Sequence, residues 1–170
     1  ADKDENRRRA LAEGHGIEEA ESNADAVKGA DIILLAVKPQ NALDVLDDIG
    51  GEVTKFQLAI SIMAGITTDF IEMRVSAPLP VIRVMPNTPA LIGCGAAALA
   101  RGRYADDEHL ALAKAIFDAV GVTVELDEAD LDAVTGLSGS GPGYVFYVIE
   151  AMMQAGMDVG LSPRISRTLV

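Results

Sequence analysis

The sequence predicts an α/β protein: a parallel, doubly wound sheet followed by a stretch of helices alone. Three observations carry this. Apolar runs of strand length at 31–37, 58–63 and 81–85 alternate with amphipathic helical stretches, the pattern of a layered parallel sheet. The run Ile32, Ile33, Leu34, Leu35, Ala36, Val37 is apolar without alternation, as expected of a strand buried on both faces. Beyond Leu126 no strand pattern follows, and helical periodicity takes over.

Residues 4–13 read as a helix closed by Gly14-His15-Gly16, with Arg7, Arg8 and Arg9 on a solvated face. Residues 17–22 read as a short edge strand. Asn23 is a suitable cap for a short helix over 24–28. The strand at 31–37 ends at Lys38-Pro39. Residues 41–49 are helical, with Leu43, Leu46 and Ile49 as the apolar stripe. A strand at 58–63, a helix at 68–74 and a strand at 81–85 follow, the last ending in the loop Pro86-Asn87-Thr88-Pro89. Residues 96–100 read as another strand. The helix at 106–120 has Asp106, Asp107 and Glu108 at its positive end, and 122–126 is the last strand. Helices at 130–135 and 142–159 come next. Ser162-Pro163 starts one more, running to Val170. The domain boundary is expected near Asp127, with 1–126 the sheet domain and 127–170 the beginning of a helical one.

A chain of 170 residues can form one sizeable core, or one domain and part of a second. Hydrophobic residues make up 49%, aromatics only 4%, and Trp is absent. The core must therefore be built from Ala, Val, Ile and Leu. The formal charge of −12 repels polyanions and argues against nucleic acid or anionic membrane as partners. It still allows a phosphorylated cofactor held by a few local donors. Cys94 is the single cysteine and has no partner for an internal disulfide. His15 and His109 lie far apart in sequence, so no metal site is expected. The polar, Arg-rich amino end shows no signal-peptide pattern, and no apolar run is long enough to span a bilayer. A cytoplasmic location is expected.

Parallel sheets bind ligands at the carboxyl ends of their strands. Three such ends stand out here. At Val37-Lys38-Pro39 a cation follows a strand, and the Pro stiffens the turn. At Ser61-Ile62-Met63-Ala64-Gly65 small residues leave room against the backbone. At Met85-Pro86-Asn87-Thr88-Pro89 two prolines stiffen a loop that either offers Asn87 and Thr88 to a ligand or is a rigid connection. The segment Ser138-Gly139-Ser140-Gly141-Pro142-Gly143-Tyr144 joins a polar approach to an apolar helix. Pro142 suits a first helical position; either free amides behind it form an anion site, or the stretch is a plain N-cap or turn.

In their order and spacing, Ala36-Val37-Lys38-Pro39-Gln40, Arg83-Val84-Met85-Pro86-Asn87-Thr88-Pro89 and Asp132 to Pro142 make the chain resemble pyrroline-5-carboxylate reductase, the enzyme that makes proline. The resemblance covers essentially the whole chain. It implies a Rossmann-like domain followed by the start of an all-α dimerisation domain. Members of the family open with a strand and a Gly-rich dinucleotide loop, and they continue through helices carrying a Gly-Gly-Thr type segment. This sequence has neither and is expected to be the middle of a longer enzyme.

The resemblance also implies residue roles. The cofactor would lie against Asn23, against Ala36, Val37, Lys38 and Pro39, and against Ala64. Met63 stands where an Ala is common. Ala1, Asp2 and Lys3 fall where the adenosine ribose is read, an Asp favouring a free 2′-hydroxyl and a Lys its phosphate. The family favours NADPH, with NADH possible. Ser138, Gly139, Ser140 and Gly141 would border the substrate, a cyclic imino acid, and Glu128 would approach it. The family's catalytic Thr lies in the downstream segment, so no residue here takes that role.

The alternatives are a non-catalytic binding module of the same fold and a β-hydroxyacid dehydrogenase. The latter carries a Lys on the helix after its Gly-rich segment, whereas no Lys or Arg occurs between Tyr144 and Ser162. The broad apolar surface of the helix at 142–159 requires partners. In the family these are later helices and a second subunit, so a homodimer or higher homo-oligomer is expected. Residues 1–170 alone are expected to lack reductase activity and to dimerise or aggregate.

Overall fold

The computed structural model describes residues 1–170. Helix α1 (Glu5–His15) is capped by the Asp4 carboxylate, which accepts from the Arg7 amide, and ends at Gly16 in the left-handed conformation. Residues 17–22 form no strand. With Ile17 beside Glu18, Glu19 and Glu21, the stretch has no apolar face to bury. Helix α2 (Asn23–Val27) is capped by Ser22, whose hydroxyl accepts from the Asp25 amide. Asn23 is therefore the first residue of the helix, not its cap.

The sheet has the order β1-β2-β3-β4-β5, built from β1 (Ile32–Leu35), β2 (Leu58–Ser61), β3 (Val81–Met85), β4 (Gly95–Arg101) and β5 (Gly121–Glu125). The first three strands are parallel to one another. β4 runs antiparallel to β3, and β5 is again parallel to β4. The sheet is thus mixed, not wholly parallel. A parallel neighbour needs a crossover of a dozen residues or more. The short stretch from Met85 to Gly95 holds only a 3-10 turn, Thr88–Ile92, and returns the chain directly alongside β3.

Helices α3 (Ala42–Ile49) and α4 (Thr68–Glu72) cover one face, where Val45, Leu46, Ile49 and Ile71 pack on Ile33, Leu35, Ala59 and Val81. Helix α5 (Asp107–Asp118) covers the other with Leu110, Ala113 and Phe117 on Ile60, Ile82, Val84 and Leu99. The buried stripe of α3 is Ala42, Val45, Leu46 and Ile49, and Leu43 faces solvent. These four positions follow the i, i+3, i+4, i+7 rule, and Leu43 lies off it. β1 is buried on one face only: Leu35 is buried while Leu34 is 54% exposed. β1 is a sheet edge, and the helix on that second face packs on the strands farther across.

Past β5 the chain turns back onto the sheet. Leu131, at the start of α6 (Leu131–Val134), is buried against Ala98 and Ala100 of β4. A π turn (Thr135–Gly139) leads directly into α7 (Gly141–Asp158), and α8 (Pro163–Leu169) follows, capped by Ser162. At Gly156 a Cβ would stand 2.7 Å from Ser166 Oγ, so the two last helices are in close contact there. No residue of α7 is buried; Tyr144, Phe146, Tyr147 and Met152 all lie open. No helix is long and apolar enough to cross a membrane.

Gly121 and Gly95 are register partners in β5 and β4, and a Cβ on Gly121 would fall on the Gly95 carbonyl. A backbone oxygen cannot swing aside as a side chain can. Gly121→Ala is expected to cost about 1–3 kcal/mol. Gly143→Ala, with nothing within 4 Å of the new methyl, is expected to be neutral or to gain about 0.5–1 kcal/mol in its helix. Urea unfolding of the two variants beside wild type checks the contrast.

Candidate active site

A cavity of about 570 Å³ opens beside β1. It runs along the chain from Ile32 to Lys38 and against Asn23, Val45 and Ile49, with Asp2, Lys3 and Arg7 also in its lining. Four of the six residues expected to meet a cofactor are therefore brought together. Pro39 and Ala64 do not line this cavity. Pro39 opens a 3-10 turn (Pro39–Asn41), and Ala64 is exposed beyond β2. Met63 is buried in the core against α3 and α4, so its bulk is directed away from the strand end.

The charges around the cavity are unequal in freedom. The Asp2 carboxylate accepts from the Asp4 amide at 2.9 Å and lies 3.6 Å from Arg7. The Asp4 amide, with help from Arg7, holds it below the usual carboxylate range. Asn23 Nδ2 donates to Asp48 Oδ2 at 3.0 Å, tying α2 to α3. Lys38 is exposed at the end of its strand and pairs with no carboxylate within 4.0 Å.

A second cluster joins the sheet to the helices that follow it. Arg83 projects from β3 and is only 4% exposed. Its guanidinium reaches Glu128 Oε1 at 3.4 Å and Asp132 Oδ1 at 3.3 Å. Glu128 also accepts from the Thr68 amide at 2.8 Å and from the Thr68 hydroxyl at 2.7 Å. It thus supplements the Thr67 cap of α4 at the Thr68 amide and neutralises Arg83 as well. Expected beside a substrate, Glu128 has both carboxylate oxygens engaged by its own chain. An Arg inside the apolar run Val81-Ile82-Arg83-Val84-Met85 was the sequence signal for this cluster, because a charge in a buried strand needs partners.

The segment Ser138 to Gly141 does not form a turn with free amides. It runs through the π turn into α7. The Ser140 amide donates to the Thr135 carbonyl at 2.8 Å and the Gly143 amide to the Ser140 carbonyl at 2.9 Å. The expected anion site of unpaired amides behind Pro142 is absent, because helix precedes Pro142 as well as following it. The hydroxyls are committed too. Thr135 donates to the Leu131 carbonyl, Ser138 to Val134 and Ser140 to Thr135. Their oxygens offer a ligand lone pairs rather than protons. Asn87 is turned inward, with Oδ1 accepting from the Ala96 amide and Nδ2 donating to the Ser138 carbonyl. Asn87 thus serves the rigid-connection reading of its loop, while Thr88 is exposed.

A sheet with a cavity beside its first strand, and a helical segment docked on β3 and β4, define the class: a Rossmann-like sheet domain followed by helices. The family model described as pyrroline-5-carboxylate reductase dimerisation matches residues 128–170. The model described as NADP oxidoreductase coenzyme F420-dependent matches residues 1–65. A pyrroline-5-carboxylate reductase of Corynebacterium melassecola is 41% identical over 160 residues, covering 92% of this chain and 59% of the relative. Among solved structures, the enzyme from Coxiella burnetii superposes with a TM-score of 0.85 at 32% identity, over 99% of this chain and 63% of its own. The Plasmodium falciparum pyrroline carboxylate reductase with NADP bound gives 0.83 at 35% identity, over 88% of this chain and 57% of its own. The chain belongs to the pyrroline-5-carboxylate reductase family. It spans about 59% of the length of that Corynebacterium relative.

Removing Glu128 would leave the buried Arg83 with one exposed partner and the first amide of α4, that of Thr68, without its acceptor. Glu128→Ala is expected to cost about 3–5 kcal/mol. Asp132→Ala removes a partner that is itself 84% exposed and is expected to cost about 0–1 kcal/mol. Chemical denaturation of both variants decides, and equal losses would contradict the assignment of Glu128 as the main counter-charge.

Proposed function

We propose that the full-length protein reduces 1-pyrroline-5-carboxylate to L-proline with NADPH, NADH being the weaker alternative. The observation that carries the reading is that Asn23, Ala36, Val37 and Lys38 line one cavity beside β1, while Asn87 ties the Ser138–Gly141 segment to the end of β3, in a chain alike in sequence to reductases of this name. The cavity suits a phosphorylated dinucleotide. Ala36 is small, Lys38 is an unpaired cation, and the Asp2 charge is already matched by Arg7 and the Asp4 amide. That leaves Lys3 to favour a 2′-phosphate. Bound there, the reduced nicotinamide supplies the hydride.

The protein's own share is positioning. A protonated cyclic imine is electrophilic at its C=N carbon. Hydride adds to that carbon, the C=N π pair becomes the nitrogen lone pair, and the nitrogen keeps its proton. No metal ligand set or strong base is needed for that balance. Asn23, Ala36, Val37, Lys38, Pro39 and Ala64 hold the cofactor on the sheet side. Ser138, Gly139, Ser140 and Gly141 close the substrate side, with the glycines giving room. The Ser138 and Ser140 oxygens present lone pairs, which suit an iminium N–H and disfavour the ring carboxylate. Glu128 serves the site by holding Arg83 and α4 in place. Water exclusion and alignment then lower the barrier. A homo-oligomer belongs to the same reading, supported by the open apolar side of α7 and the dimerisation model that matches it. A cytoplasmic enzyme of proline biosynthesis completes it.

The direct test is NADPH oxidation by the full-length protein with 1-pyrroline-5-carboxylate and, separately, with a β-ketoacid. Turnover of the imine is expected. Turnover of the ketoacid alone would overturn the reading in favour of a hydroxyacid dehydrogenase, and NADPH binding without turnover of either would favour a binding module. In the same protein, Asn23→Ala and Lys38→Ala are each expected to weaken NADPH binding by about 1–3 kcal/mol, read by fluorescence titration, with substrate preference unchanged.

A further inference from the structure

Pro142 has no amide hydrogen. In the helical run through the π turn into α7, the carbonyl four residues before it, that of Ser138, therefore lacks its usual donor. The structure supplies one from the sheet domain: Asn87 Nδ2 donates to the Ser138 carbonyl at 3.2 Å. The other end of the same amide, Asn87 Oδ1, accepts from the Ala96 amide at 2.9 Å, just inside β4. One side chain thus joins the end of β3, the start of β4 and the π turn. Met85, two residues earlier, reinforces the contact. Its terminal methyl carbon lies 2.7 Å from where a Cβ on Gly139 would stand, so the turn sits close on the strand end. π turns are rare and concentrate at functional sites. This one is closed by the Ser140 amide donating to the Thr135 carbonyl at 2.8 Å.

We propose that Asn87 is a positioning residue for the reaction. It holds the Ser138–Gly141 segment at a set height over the strand ends, and it does so through the carbonyl that Pro142 leaves free. Asn87 acts through the segment it holds, with an N–H and a lone pair of its amide committed to the chain. The proposal rests on the reading that Ser138–Gly141 borders the imino acid.

The test uses the full-length protein with Asn87→Ala, Asn87→Asp and the double variant Asn87→Ala with Pro142→Ala. Asn87→Asp keeps the acceptor for Ala96 and loses the donor to Ser138. The readouts are hydrogen exchange at the Ser140 amide and the separate KM values for 1-pyrroline-5-carboxylate and NADPH. Both single variants are expected to speed exchange at Ser140 and to raise KM for the imino acid about fivefold to tenfold, with KM for NADPH within about twofold. The double variant regains a backbone donor at position 142 and is expected to return both readouts toward wild type. Unchanged exchange and KM in Asn87→Ala would overturn the proposal. So would equal rises in both KM values with no rescue, the mark of a general fold staple. If wild type turned over no imine at all, the function proposed above would fail, and Ser140 exchange with its rescue by Pro142→Ala would decide the positioning claim alone.

Discussion

The architecture depends on the buried guanidinium of Arg83. It sits in the middle of the sheet at 4% exposure, where an unpaired charge would cost several kcal/mol. Its main counter-charge, Glu128, comes from beyond the last strand, and the same carboxylate accepts from the Thr68 amide and hydroxyl at the start of α4. The charge can be neutralised only if the segment after β5 returns to the sheet. That return buries Leu131 on Ala98 and Ala100, and it delivers the π turn to the ends of β3 and β4. The location of the helical segment thus follows from an electrostatic requirement inside the sheet.

Two hydrogen-bonded contacts then divide the work. The Arg83–Glu128 contact is buried and charged, so it sets where the segment docks. The Asn87–Ser138 contact is neutral and lies nearer the surface, so it sets the local height of the turn. Between them stand Met85 and Gly139, in contact close enough that a side chain at 139 would have to displace the Met85 methyl. Across the sheet, the cavity beside β1 is built from other elements, chiefly the whole of β1, α2, α3 and the residues before α1. The reading of a hydride donor on one side and an imine on the other needs both halves held in a fixed relation, which these contacts supply.

Much of this was legible in the residues. The apolar runs located all five strands, and Asp4, Asp106 and Ser162 cap the helices expected to follow them. Of the six residues read as one cofactor site, Asn23, Ala36, Val37 and Lys38 share one cavity, and Pro39 and Ala64 lie outside it. What was not legible depends on pairing across the sheet. Nothing local to Gly95–Arg101 says that its neighbour runs the other way; that follows from the length of the preceding connection. Nor does Ile32-Ile33-Leu34-Leu35 reveal that one face is uncovered, since exposure depends on how far a distant helix reaches. Ser138 to Gly141 looked like a turn because Gly, Ser and Pro favour turns. Local bonds from the Thr135, Ser138 and Ser140 hydroxyls to carbonyls one turn back, with one donor from Asn87, hold it helical instead. Glu128 and Asn87 looked like ligand groups, because partners as distant as Thr68 and Ser138 cannot be read from a linear chain.

The most direct measurement is a crystal structure of the full-length protein with NADP and L-proline bound. The account predicts the dinucleotide against Asn23 and Ala36 to Lys38, the proline ring between the strand ends and Ser138–Gly141, and Glu128 still on Arg83 and Thr68. A dinucleotide bound away from the β1 cavity, or a proline held by Glu128 after it has left Arg83, would contradict it.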